Sequence, residues 1–427
     1  MLGCRPLFIS GEIIPGLAPW LALRQLLPVL LLELAPGEHK HLPTIPHYQG
    51  PLLVLCGLEG SVECAGEPAI QWSIPTPPPH EREQLWRLAL GQLTQLGESP
   101  VENEQASLLV SSLARQHRHS SGRIAQLGRL ARQQALLQGR SQLTAKDVVA
   151  AAWNSDSGGL DALAQPLRDP IPDAALVTTA ALRRELEMLL LRCRARDGLV
   201  EGLGASATAR YRPGVRTLLV GPSGTGKTLA AGWLATRLGM PLYRVDLAAV
   251  TSKYIGETEK NLAQLLGRAE QAEVVLLFDE ADSLFGKRTD VQQANDRFAN
   301  AQTNYLLQRI ESYDGIVILT SNSRSRFDQA FTRRLDAIID FPTPGPEERR
   351  ALWQAHLGAG HRLTAQELNR LAAASDLAGG HIRNVVLAAA VLARTQARLI
   401  EYTDLVEGLT GEYRKLGKQM PVELRGA

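Results

Sequence analysis

Residues 221–228 read Gly-Pro-Ser-Gly-Thr-Gly-Lys-Thr and follow directly on the apolar run Thr217-Leu218-Leu219-Val220. Glycines at 221, 224 and 226 let the backbone curl so that successive N–H groups point inward at phosphate oxygens. Within this stretch Lys227 is a movable cation for the β- and γ-phosphates, and the Thr228 hydroxyl is a ligand for Mg²⁺. The residues from Leu229 to Thr236 suit a helix, so an anion held by Gly221, Pro222, Ser223, Gly224, Thr225, Gly226 and the start at Leu229 also meets a helix N-terminus. A glycine-rich hairpin would share the composition but not the strand before and the helix after. The stretch predicts a nucleoside triphosphate site.

Working outward, Leu242 to Leu247 reads as a short strand, and Val274 to Phe278 is fully apolar and ends in Asp279-Glu280-Ala281-Asp282. An all-apolar run fits a central parallel strand covered on both faces. Acids at its end emerge at the rim where ligands sit in open α/β sheets. Asp279 is placed for the Mg²⁺ shell and Glu280 for orienting an attacking water. A third run, Ile316 to Thr320, ends in Ser321-Asn322, where an amide could touch both the γ-phosphate and that water. Then come Phe327 to Asp336, with paired Arg333 and Arg334, the strand Ala337 to Phe341, and breaks at Pro342 and Pro344. Paired arginines beside an acid are commonly a solvated helix end. After a complete nucleotide site they also suit a reach to a neighbouring subunit's γ-phosphate.

In order and spacing, residues 216–341 resemble the AAA ATPase module (ATPases associated with diverse cellular activities). The resemblance implies ATP with Mg²⁺, Lys227 and Thr228 as Walker A, and Asp279 and Glu280 as Walker B. It makes Asn322 sensor 1 and Arg333 and Arg334 arginine fingers. Beyond Pro344 the text turns helical, and Gly379-Gly380-His381-Ile382-Arg383-Asn384 opens an alanine-rich helix as in the family's lid, with Arg383 at the sensor 2 position. Ser252 to Leu262 resembles the pore loop of AAA unfoldases. Lys253, Tyr254 and Ile255 would there face a central channel and grip an extended polypeptide. Residues 286–296 would suit a second pore loop or a surface excursion. The wording of 252–262, with 296–300 and 304–309, also resembles bacterial AAA ATPases found beside phage-tail-like contractile injection systems.

The bulk numbers set limits. A chain of 427 residues with 44% apolar and 21% charged residues suits two or three soluble domains. A formal charge of +2 gives no sign of a polyanion-binding surface. Cys4, Cys56, Cys64 and Cys193 form no C-x-x-C pair, which fits a reducing compartment. Leu17 to Leu34 is leucine-rich, but Arg24, Gln25, Pro28 and Glu33 interrupt it, so a buried helix followed by a strand is expected rather than a membrane anchor. The expected location is the cytoplasm.

The helical text repeats. Pro75 to Trp86 parallels Pro342 to Trp353, Ser121-Gly122-Arg123-Ile124 parallels Gly379-Gly380-His381-Ile382, and Leu143 to Val149 parallels Ile400 to Val406. Upstream, Tyr48 to Leu55 echoes Tyr313 to Thr320, Val29 to Leu34 echoes Val275 to Glu280, and Pro6-Leu7-Phe8 echoes Pro241-Leu242-Tyr243. Self-similarity at this distance signals tandem modules. The first copy has Leu34 for the glutamate, Gly57 for the asparagine, Gly66 and Glu67 for the two arginines, Ala125 for Arg383, and no phosphate loop within residues 1–150.

The expected fold class is therefore α/β. A P-loop AAA module (parallel sheet flanked by helices) spans 176–344 with a helical lid at 345–427, preceded by a degenerate AAA-like fragment at 1–80, its own lid at 81–153, and a linker at 154–175. The expected activity is ATP hydrolysis driving protein remodelling by a homo-oligomeric ring, expected to be a hexamer, with a protein substrate and no membrane or nucleic-acid partner. The alternatives are a DNA-directed machine of helicase or clamp-loader type and a nucleotide-switched scaffold.

Overall fold

The computed structural model describes residues 4–424 apart from 10–15, 33, 35–37, 43, 57–60, 65–66, 69, 91–99, 141–142, 156–158, 210, 251–256, 283–304 and 325–328. The chain divides into two compact units, Met1–Thr76 with Val250–Gly267, and Pro77–Ala249 with Arg268–Ala427.

In the first unit the leucine-rich stretch resolves into α1 (Leu17–Arg24) and a strand, following β1 (Arg5–Ile9). Gln25, in the left-handed region at φ 50°, turns the chain out of the helix into β2 (Leu26–Leu32). β3 (His39–Leu42), β4 (Leu53–Cys56), β5 (Ser61–Cys64) and β6 (Glu67–Pro68) follow. One sheet has the order β1-β2-β4, all parallel, and a smaller one the order β3-β5-β6. Ala18, Leu21 and Ile45 form the core under the first sheet, with Tyr48 and Leu52 against them. Among the described residues no helix is long and apolar enough to cross a membrane.

The second unit opens with a four-helix bundle, α2 (Pro79–Leu90), α3 (Pro100–Gln116), α4 (Ser121–Leu137) and α5 (Ala145–Asn154), packed round Trp86, Ile124 and Leu127. Next along the chain come β7 (Ala164–Leu167), α6 (Ala180–Ala195), β8 (Val215–Val220), α7 (Lys227–Leu238), β9 (Leu242–Val245), α8 (Glu257–Ala272), whose residues up to Gly267 fall in the first unit, β10 (Val275–Phe278), β11 (Ile316–Ser321) and β12 (Ala337–Asp340). The sheet runs β12-β8-β11-β10-β9-β7, parallel except for β7. Its strand β10 is apolar throughout and β11 is buried throughout, as strands covered on both faces are. Trp233 of α7 is fully buried, donates its ring N–H to Asp173 at 2.5 Å, and has the Arg183 guanidinium 4.6 Å from its ring centre. The chain ends in a second bundle, α9 (Pro346–Leu357), α10 (Ala365–Ala374), α11 (Gly379–Thr395) and α12 (Tyr402–Lys415), round Trp353, Leu371, Ile382 and Leu405.

Two expectations change. The stretch 154–175 is not a bare linker: Ala164–Leu167 extends the main sheet by pairing with β9. Polar and proline-rich flanks hid four residues that need only one neighbour, as an edge strand does. The bundle at 77–154 also belongs to the same compact unit as the phosphate-loop sheet rather than standing with residues 1–76. An ionic cluster joins it there. Arg82 pairs with Asp197 just past α6, and Arg118 Nε lies 3.1 Å from the same carboxylate. The Arg118 backbone N–H donates to Glu273 at 3.1 Å and its guanidinium to the Asp314 carbonyl at 3.2 Å. Arg196 and Glu273 form a buried pair at the centre. Glu273 and Asp314 precede β10 and β11, so the bundle sits at the sheet's N-terminal edge.

The two bundles share their internal wiring. Arg82 donates to Ala114 O at 2.9 Å and Pro77 O at 2.6 Å; Arg349 donates to Ala372 O and Pro344 O, both at 2.7 Å. Trp86 and Trp353 are both fully buried. Arg140 pairs with Asp147 and Arg398 with Asp404, each acid also accepting from the backbone N–H three residues before it. The sheets agree as well: β1-β2-β4 has the order and direction of β9-β10-β11. Tyr48 lies over Gly50 as Tyr313 lies over Gly315, where an added Cβ would fall 2.4 and 2.3 Å from the ring systems.

The pairing registers correct one echo. Leu53 pairs with Val29 and Ile318 with Leu277, so with Tyr48 matched to Tyr313 it is Leu31 and Leu32, not Glu33 and Leu34, that stand opposite Asp279 and Glu280. A run of leucines carries no mark that fixes its register.

Candidate nucleotide site

The site forms where β8, β10 and β11 end at the C-terminal edge of the sheet. Gly221 is required by packing: a Cβ there would fall 2.1 Å from the Phe341 carbonyl oxygen. Gly226, at φ 96°, turns the loop into α7, so the first N–H groups of that helix face the loop's interior. Lys227 is buried, and its ammonium donates to Gly221 O at 2.5 Å, Pro222 O at 2.9 Å and Asn322 Oδ1 at 3.2 Å. Burial draws its pKa below the ordinary lysine value, against the opposing pull of Asp279, Asp282 and Glu280.

Asp279 and Glu280 follow β10. Glu280 holds φ 52°, an uncommon conformation for a non-glycine residue and one that proteins keep mainly at functional positions. Thr320 of β11 fixes this turn. Its hydroxyl accepts the Glu280 N–H at 3.0 Å and donates to Asp279 Oδ1 at 2.5 Å, while its carbonyl accepts the Ala281 N–H at 2.9 Å. Thr228 Oγ1 lies 3.4 and 3.5 Å from the two Asp279 oxygens. A hydroxyl and a carboxylate side by side are hard oxygen donors of the kind Mg²⁺ accepts while retaining several waters. These residues fit the ion. A cavity of about 510 Å³ lined by Gln165, Arg244, Asp246, Asp279 and Glu280 adjoins the turn.

The second bundle reaches the loop directly: Gly380, in the first turn of α11, donates its N–H to Gly224 O at 3.0 Å. Arg383, one turn on, is exposed and lies near His356, whose pKa is lowered by burial and then by that guanidinium. Arg333 and Arg334 are exposed beyond the short helix Gln329–Thr332, with Arg334 Nη1 2.5 Å from Glu311. The structure thus brings Lys227, Thr228, Asp279, Glu280 and Asn322 together. Lys253, Tyr254 and Ile255, like 286–296, lie outside the described residues. Sequence reasoning missed Thr320, whose only signal was a hydroxyl ending an apolar run, and the contact of Gly380 with the loop.

Residues 217–343 match the family model for "ATPase family associated with various cellular activities (AAA)". The chain carries an AAA ATPase domain. The bundle after it, residues 345–411, matches the contractile injection system ATPase helical domain. An uncharacterized AAA family ATPase of Sinorhizobium fredii, y4kL, is 37% identical over 131 residues, 30% of this chain and 39% of that protein. Proteasome-activating nucleotidase 2 of Halobacterium salinarum is 27% identical over 207 residues, 46% of this chain and 50% of its own length. The chain thus spans half or less of these relatives. The solved AAA domain of FIGL-1 in complex with ADP is 22% identical, with a TM-score of 0.45, over 58% of this chain and 85% of that one.

Proposed function

We propose that this chain is an ATP-hydrolysing motor that assembles into a ring, expected to be a hexamer, and remodels proteins by drawing polypeptide through a central pore. The observation that carries the reading is the Walker B turn, where Thr320 holds Glu280 in a left-handed conformation beside Asp279, next to Lys227 and Asn322. On this reading the backbone of 221–226 and Lys227 take the phosphates in place of the acceptors that Lys227 now has. Thr228 and Asp279 hold Mg²⁺, which when bound neutralises charge on the phosphates. Glu280 orients the attacking water and Asn322 positions it. Arg333 or Arg334 of the next protomer stabilises the developing charge, a contribution of roughly 10³–10⁵ in turnover where arginine fingers have been measured. Arg383 answers to the nucleotide from the lid. Lys253, Tyr254 and Ile255 grip the substrate.

The name of the archaeal relative, a proteasome-activating nucleotidase, supports action on proteins, and the helical-domain match supports a place beside a contractile injection system. Residues 1–153 are read as a worn second copy of the AAA module and its lid, supported by the shared arginine clamps, ion pairs and Tyr-x-Gly turns.

Glu280→Gln is expected to keep ATP binding and lower hydrolysis by roughly 10²–10⁴-fold; unchanged turnover would remove the mechanism. Specific activity should fall on dilution as the ring dissociates, and Arg334→Ala subunits mixed into wild-type rings should poison their neighbours. Full activity from demonstrated monomers would remove the ring.

A further inference from the structure

Strand β10 has an uncommon residue just beyond each end. Two of the five non-glycine residues with positive φ among the described residues, Glu273 at 55° and Glu280 at 52°, bracket its four positions. Glu273 closes α8: the next N–H, of Val274, donates to Ala269 O at 3.3 Å, a helix ending whose left-handed position usually holds glycine. A glutamate there is strained, and such strain persists only where the surroundings hold it. Here its buried carboxylate pairs with Arg196 and accepts the backbone N–H of Arg118 at 3.1 Å. The Arg118 guanidinium donates in turn to Asp314 O at 3.2 Å, just before β11, and the Asp314 N–H donates to Glu270 Oε1 at 3.0 Å. One residue of the first bundle thus ties the start of β10 to the start of β11. Thr320 ties their other ends, through the Glu280 and Ala281 N–H groups and Asp279.

Between the two ties β10 is short. It pairs with β11 at four positions and with β9 at three, and all four of its residues are buried. A close-packed interior passes a displacement on rather than absorbing it. We propose that Arg118 is a positioning residue for hydrolysis: by fixing the starts of β10 and β11 from the first bundle, it holds the Glu280 turn, about 20 Å away, in the geometry that orients the attacking water. The first bundle is then a brace of the working site. The tie reaches β10 and β11, whereas the phosphate loop follows β8, so ATP binding is expected to be spared. This inference rests on the role proposed for Glu280 and not on reading residues 1–153 as a second copy.

The test compares full-chain variants by ATPase kinetics, titration with a non-hydrolysable ATP analogue and amide hydrogen exchange. Arg118→Met, which keeps the side-chain stem and loses the donors, should lower kcat by roughly tenfold, within the ~10²-fold that a 1 Å misplacement can cost. KM and analogue affinity should not change. Exchange at the Glu280 and Ala281 amides should rise by about tenfold. Arg118→Lys, which keeps a cationic donor, should recover most of the rate. Arg140→Ala removes the bundle's own ion pair to Asp147 and should lower stability while leaving kcat and the two amides unchanged. Unchanged exchange at 280 and 281 in Arg118→Met overturns the proposal whatever the turnover, and so does a fall in kcat that Arg140→Ala matches. Faster exchange with unchanged kcat also overturns it, since the turn then moves without consequence. Normal turnover by Glu280→Gln removes the role of Glu280, and the proposal with it, and is told apart because it involves no change at residue 118.

Discussion

In the first bundle Arg82 bonds two carbonyls and ends on Asp197; in the second, Arg349 bonds the two equivalent carbonyls, and among the described residues no carboxylate pairs with it. Four residues past the shared carbonyl, Arg118 faces Asp197 and Asp314 where the second bundle has Asp376, which pairs instead with Lys418. At the opening of the third helix the order reverses: Gly380 contacts the phosphate loop, while a Cβ on Gly122 would meet nothing within 4 Å. One scaffold thus serves two attachments. The carbonyl clamp builds the bundle, and a handful of side chains on its rim choose the sheet's N-terminal edge or the nucleotide loop.

At neutral pH the largest expected difference is at the clamp. Arg82→Ala strands two carbonyls and leaves the partly exposed Asp197 with Arg118 as its remaining partner, a loss of about 2–4 kcal/mol from the hydrogen bonds and the ion pair together. Arg349→Ala loses hydrogen bonds alone, about 1–3 kcal/mol. Denaturant midpoints of the two variants measure this, and equal losses would mean that the ionic joint adds nothing to the first bundle.

The joint was not legible in the sequence, because Arg82 and Asp197 are 115 residues apart and the repeat that holds Arg82 says nothing of Asp197. The AAA domain was legible because its chemistry is local: a glycine loop between strand and helix, and acids at the end of an apolar run. Asn322 and the lid glycines were legible as positions, and their contacts needed the fold. The register of β2 failed for want of any polar residue between Leu26 and Leu32. Thr320 was missed because a threonine ending a strand has many ordinary reasons to be there.

Acid should separate the bundles next. His117 and His119 are stacked, with ring centres 5.2 Å apart, in the first bundle, where the second has Ser375 and Leu377. Burial holds His117 down to about 4 and His119 well below its ordinary value; Glu273 opposes the shift at His117, Arg196 and Arg82 add to it at both rings, and His117 and Arg123 add to it at His119. Both are bases with depressed folded-state pKa values, so below about 6.5 the unfolded chain takes up protons that the folded chain refuses. Stability should fall with decreasing pH between about 6.5 and 4, by roughly 1.4 kcal/mol per pH unit for each histidine. Installing the second bundle's residues, His117→Ser with His119→Leu, should flatten that slope. A slope left intact would place the titration elsewhere.

The smallest and most discriminating change is a single methyl group placed at both glycines. In Gly380→Ala the new Cβ would lie 3.2 Å from Gly224 Cα, so the phosphate loop must move by a few tenths of an ångström. Crowding of this degree costs about 1 kcal/mol, which would appear as a several-fold loss of ATP affinity with bundle stability unchanged. In Gly122→Ala the methyl group enters open space on a helix, so the expected result is a gain of up to ~1 kcal/mol in stability and no change in ATP affinity. Isothermal titration with a non-hydrolysable ATP analogue and a denaturation curve on each variant give the four numbers. If Gly122→Ala also weakened the nucleotide, the first bundle would be acting on the phosphate loop through the sheet, and the division between the two attachments would not hold.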